Sequence, residues 1–63
     1  MCLGKVFVEK DQEISPFMDN ITNMTMENGE LVFTSLMGER KSLVGEIKEV
    51  DFNRSKIVIT QKN

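Results

Sequence analysis

The second residue carries the one thiol in the chain, and no histidine accompanies it. Zinc fingers, Ser-His-Asp triads and histidine general bases are thereby excluded together, and a lone cysteine forms no disulfide within the chain. Taken alone, Cys2 reads as a small hydrophobe at the start of a strand, because free cysteine is among the most buried residue types. Its place beside the chain terminus gives a second reading. With Met1 retained, the terminal amine, the Cys2 amide nitrogen and the Cys2 thiolate form fused five-membered chelate rings around one metal. With Met1 removed, the amine and thiolate of Cys2 form a single ring, and two chains across a two-fold axis complete a square of nitrogen and sulfur. Flat coordination by nitrogen and thiolate suits Ni(II) or Cu(II) rather than tetrahedral zinc. Affinity order alone favours copper, so selectivity for nickel rests on which ion the cell supplies. The metal displaces the thiol proton, so binding weakens as pH falls through the thiol pKa.

Other residue types read as structure. Met24 and Met26 are two apart in an extended run and share a side, as core or interface fillers do, rather than forming a thioether copper site. Asp19, Glu27, Glu39, Glu46, Glu49 and Asp51 are spread over strand edges and turns, and paired carboxylates for acid-base work need a cleft that so short a chain hardly forms. Gly38 and Gly45 lack the glycine-rich strand-to-helix turn with a following Lys-Ser/Thr that cradles phosphate. The expectation is a protein that is not an enzyme.

The elements that must position Cys2 are strands. Periodicity gives short extended runs with turn chemistry between them and no apolar stripe long enough for a helix. Cys2 to Glu9 places Val6 and Val8 on one face with Cys2 and Gly4, and Leu3 and Phe7 on the other. Both faces are partly apolar, which suits a strand lying between a core and a partner subunit. Lys10 to Asn20 holds the only proline and reads as a loop, with Ile14, Phe17 and Met18 capping one barrel end. Ile21 to Glu27 and Glu30 to Leu36 form a hairpin through Asn28-Gly29, because both central positions of a type I′ turn need positive φ. A reversal at Met37 to Arg40 leads into Lys41 to Asp51, where Gly45 marks a bulge or sharp bend. Phe52 to Ser55 turns again into the last strand, Lys56 to Thr60. Five bent strands in meander order make an all-β, SH3-like or Sm-like barrel the economical architecture.

Size adds an argument for partnership. The chain has 63 residues and a net charge of −2. From its mass, folding hides roughly 6,300 Å². At about 25 cal/mol per Å² of apolar area this contributes roughly 95 kcal/mol, against an ordering cost of roughly 95 kcal/mol. A monomer near balance, with no disulfide, points to a homodimer or a bound metal as the added source of stability. No apolar run approaches the roughly 20 residues of a membrane helix and no signal-peptide pattern opens the chain, so one cytoplasmic domain over residues 1–63 is expected.

Several segments together carry a family resemblance: Met1-Cys-Leu-Gly-Lys-Val6, Gly29-Glu-Leu-Val-Phe33, Leu36-Met-Gly-Glu39, Val44-Gly-Glu-Ile-Lys-Glu-Val-Asp-Phe52 and Ile57-Val-Ile59. Nearly end to end, the chain resembles the CooT family of small nickel-binding proteins. The resemblance implies an Sm-like, SH3-type barrel, a homodimer, and Ni(II) held through Cys2 with Met1 as its neighbour. It further implies a role in supplying nickel for maturation of carbon monoxide dehydrogenase or another nickel enzyme. Gly4 departs from the alanine associated with that position, a change that keeps a small residue there. The alternative is an RNA-binding Sm-like module. Single-strand recognition asks for a basic groove and exposed aromatics, whereas the chain has no Trp or Tyr, four Phe assigned to the core, and only Arg40-Lys41 and Arg54 with Lys56 as basic pairs.

Overall fold

A computed structural model describes residues 3–61. All of its regular structure is extended: β1 (Gly4–Lys10), β2 (Glu13–Glu27), β3 (Glu30–Ser35), β4 (Arg40–Leu43), β5 (Gly45–Asp51) and β6 (Lys56–Gln61). They form one sheet in the order β4-β3-β2-β1-β6-β5. Strands β1 to β4 follow the expected antiparallel meander, but β6 returns parallel to β1, with Val6 opposite Ile57 and Val8 opposite Ile59. Among the described residues no helix is long and apolar enough to cross a membrane.

The all-β class is as the sequence indicates, whereas the strand count is six rather than five. The run from Lys41 to Asp51 is broken at Val44, which alone joins β4 to β5. These consecutive strands are the two outer edges of the sheet. In a flat sheet of this width the edges would stand about 24 Å apart, far beyond the reach of about 7 Å that one linking residue allows. The sheet therefore rolls up. Gly45 makes the corner possible, since a Cβ there would lie 2.5 Å from the Thr60 carbonyl oxygen and 2.8 Å from Ile59 Cγ2. No ladder pairs β4 with β5, so the roll is an open barrel rather than a closed one.

The expected loop from Lys10 to Asn20 is instead a hairpin turn followed by the first half of the 15-residue β2. Asp11 and Gln12 both take positive φ, 54° and 67°, which makes a tight reversal out of a dipeptide with little turn signature. Pro16 is tolerated because this half of β2 pairs with β1 only; β3 joins from Ile21 onward. Asn20, at φ 58°, marks the place where β2 changes neighbours. The hairpin at Asn28-Gly29 forms as expected, with φ values of 52° and 78°.

Every strand except β5 contributes to the buried core: Val6, Val8, Met18, Ile21, Leu31, Phe33, Leu43 and Ile59. Phe33 is fully buried, and Phe17 meets it edge to face at a centroid distance of 6.2 Å. Ile14, expected at a barrel end beside Phe17 and Met18, is exposed instead.

Candidate functional site

The residues singled out for metal chemistry, Met1 and Cys2, lie outside the described residues. What the structure describes is the framework from which they extend. Gly4, the first residue of β1, stands opposite Ile21, and Ile21 in turn opposite Ser35. On the other flank the Lys5 amide donates to the Ser55 carbonyl at 2.8 Å. The start of β1, the turn after β3 and the turn between β5 and β6 therefore gather at one end of the sheet. A Cβ on Gly4 would meet only ordinary contacts, the nearest 3.5 Å away at Ile21, so the site has room for alanine as well as glycine.

That end is apolar. Leu3, Leu36, Met37 and Phe52 are all exposed there, Phe52 at 89%. A notch of about 180 Å³ opens beside Gly4, walled by Val50, Phe52 and Ile57, with Asp51, Ser55 and Lys56 at its border. Its apolar wall follows from register. Ile47 faces Ile59 and Val50 faces Ile57, although Ile47 and Val50 are three residues apart, because a bulge lies between Ile47 and Glu49. Both side chains are thus directed to the face that carries the core, yet remain 47% and 42% exposed because no strand closes the barrel over them.

Charges around the notch are mixed. The Arg54 amide donates to Asp51 Oδ1 at 3.2 Å, and the Arg54 guanidinium stands 3.8 Å from Asp51 Oδ2. The Lys56 ammonium lies 5.4 Å from the centre of the Phe7 ring. Elsewhere two carboxylates are engaged with cations: Glu27 pairs with Arg40 at 2.9 Å, and Glu9 with Lys48 at 2.7 Å. Among the described residues no group of three or more acidic, cysteine or histidine side chains could hold a metal ion.

Two sequence expectations about side chains need correction. The four Phe do not all serve the core: Phe33 does, Phe17 packs against it, Phe7 is half-buried and Phe52 projects into solvent. Met24 and Met26 do share a side of β2, opposite Phe33 and Leu31, but only Met24 packs on the core, and Met26 is 64% exposed. The notch itself was not read from the sequence, although an aromatic in the otherwise polar turn Phe52-Asn-Arg-Ser55 was a signal for it.

Residues 1–60 match the family model for the CO dehydrogenase accessory protein CooT. No curated protein matches the chain. A crystal structure assigned as CooT from Carboxydothermus hydrogenoformans is similar with a TM-score of 0.88 and 16% identity, over 98% of this chain and 100% of that one. At that identity the likeness is one of fold.

Proposed function

The chain belongs to the CooT family, as its match over residues 1–60 shows, and from that premise we propose that it carries Ni(II) as cargo for the maturation of carbon monoxide dehydrogenase or another nickel enzyme. In this reading the Cys2 thiolate is the anchoring ligand, and terminal or backbone nitrogen beside it supplies further donors, with two copies meeting near the ion. The observation that carries the reading is the family match over a stretch that includes the chain's one thiol, two residues ahead of Gly4. The chemistry of the donor set supports it, since thiolate with amine or amide nitrogen and no imidazole favours a flat-coordinating ion over zinc. The described framework supports it too: Gly4, two residues after Cys2 in the sequence, borders an apolar notch.

The test is a titration of the untagged protein with Ni(II), followed by thiolate-to-metal charge-transfer absorption in the near ultraviolet. The expected result is a saturable band that Cys2→Ser abolishes together with tight binding. Unchanged nickel affinity in the serine variant, or binding of single-stranded RNA in place of nickel, would overturn the reading.

A further inference from the structure

We propose that Asn28 is a site of spontaneous covalent modification, at which the Gly29 amide nitrogen closes on the Asn28 side chain and the hairpin tip is converted to aspartate and isoaspartate. The step balances with water as the one co-reactant. The Gly29 nitrogen gives up its proton and attacks Asn28 Cγ. The Cγ–Nδ2 bond breaks, ammonia leaves, and a five-membered succinimide remains. Water then opens the ring. Attack at Cγ gives aspartate, whereas attack at the main-chain carbonyl gives isoaspartate, whose backbone runs through Cβ.

Three features set this tip apart from the other asparagines. The first is the nucleophile. The β2–β3 ladder closes with Glu27 opposite Glu30, so the Gly29 amide takes no part in it. By contrast, the Arg54 amide that follows Asn53 donates to Asp51 Oδ1 at 3.2 Å, and Met24, which follows Asn23, stands within the ladder opposite Phe33. The second is access. Asn28 and Gly29 are both exposed, and even a Cβ added at Gly29 would meet nothing within 4 Å. Asn20 is followed instead by Ile21, which is β-branched and buried. The third is freedom to reach the ring geometry. At Asn28 only the end of a hairpin has to open, whereas at Asn20 or Asn23 a paired strand would have to part. Asn63 lies outside the described residues.

The two products differ in what they do to the fold. Aspartate suits a type I′ turn as asparagine does. It adds a carboxylate to a cleft of about 280 Å³ that Asn28 shares with Glu27, Glu30, Arg40 and Lys41. Glu27 already engages Arg40 at 2.9 Å, so the new charge stands among like charges. Isoaspartate lengthens the turn by one main-chain atom and breaks the two-residue geometry, so the pairs Glu27–Glu30 and Met26–Leu31 open first. Leu31, buried in the core, couples that opening to the rest of the sheet. The tip lies at the far end of the β2–β3 ladder from Ile21 and Ser35, away from the end where β1 begins.

The test is prolonged incubation of the untagged full chain in mildly alkaline buffer, with Asn28→Gln, Asn28→Asp and a peptide of residues 25–32 in parallel. Peptide mass mapping, anion exchange and an isoaspartate-specific methyltransferase assay read the products, and circular dichroism checks that the variants fold. The first change is expected at Asn28, with isoaspartate among the products and a net charge one unit more negative than the −2 of the unmodified chain. The rate should rise with pH, because the attacking nitrogen must lose its proton. Asn28→Gln, whose ring would be six-membered, should show no product over the same period. Amide hydrogen exchange should quicken at Glu30 and Leu31 in the isoaspartate form and stay at the wild-type rate in Asn28→Asp. The proposal is overturned if Asn20, Asn23 or Asn53 reacts before Asn28, or if Asn28 remains an amide in the folded chain after the peptide has reacted. Aspartate as the sole product overturns it equally, since that is the outcome of direct hydrolysis without a ring.

Discussion

The backbone of Gly45 approaches that of β6 so closely that a methyl group on its Cα would lie 2.5 Å from the carbonyl oxygen of Thr60. Backbone cannot yield as a flexible side chain does, so Gly45→Ala must push β5 away from β6 or open the corner at Val44. We predict a loss of about 1–3 kcal/mol, the range typical of overpacking. Gly4→Ala, whose new methyl meets nothing closer than 3.5 Å, should change stability by less than about 0.5 kcal/mol. Urea titration of the two variants checks both values.

Phe33 is the best-buried aromatic, with no exposed surface, and its ring is contacted by Phe17 from β2. Removing such a side chain typically costs about 3–5 kcal/mol. A chain whose burial and ordering terms nearly cancel has little reserve, so Phe33→Ala is expected to lose its β-sheet circular dichroism and amide dispersion at 25 °C. Phe17→Leu should fold with a lowered midpoint of unfolding.

The Glu9 carboxyl is held below its ordinary pKa, first by the hydrogen bond from the Lys48 ammonium at 2.7 Å; burial opposes this, and the Lys48 charge and the Thr60 hydroxyl at 3.3 Å add further lowering. Because the folded-state value is depressed, the stabilisation is present above the unfolded carboxylate pKa. It is lost as pH falls through that value towards the lower folded one. Lys48→Met should therefore destabilise the protein slightly at pH 7 and flatten the acid limb of its stability profile. The pair is part-exposed, so the effect at pH 7 should be small. Thermal unfolding of wild type and variant from pH 2 to 7 reads both.

Much of this architecture is legible in local chemistry. Asn28-Gly29, Met37-Gly38 and the polar run after Phe52 each announce a reversal, because left-handed backbone at φ 52°, 78° and 88° favours Asn and Gly. Gly45 announces a corner. What local chemistry hides is β2. Asp11 tolerates positive φ but Gln12 does not favour it, so the pair lacks the Asn-Gly or Asp-Gly signature, and Pro16 argues against a strand unless one side of that strand is known to be free. The parallel pairing of β6 with β1 is equally hidden, since register between distant segments leaves no mark in either alone.

The candidate site divides along the same line. Cys2 stands out by position and by the lack of histidine, and the family match adds the context of an accessory protein for CO dehydrogenase. The apolar notch depends on a β5 bulge that turns Val50 to the core face and on an open seam, and both are properties of the rolled sheet. Only the misplaced aromatic at Phe52 could have hinted at it.

Asn20 shows how one residue joins the two levels. It holds φ at 58° where β2 leaves β1 for β3, and its carbonyl accepts the Leu36 amide at 2.8 Å, tying the bend to the turn after β3. A left-handed conformation costs most L-residues about 1–2 kcal/mol, and Asn and Gly much less. Asn20→Gly should therefore leave stability within about 0.5 kcal/mol. Asn20→Val, with a β-branched side chain, should lose about 1–2 kcal/mol or more. Since that bend also places Ile21 against Gly4, amide hydrogen exchange in Asn20→Val should quicken at Gly4, Lys5 and Leu36 ahead of the rest of the sheet. Uniform quickening across all strands would show that Asn20 is no pivot and that the strain is spread through the fold.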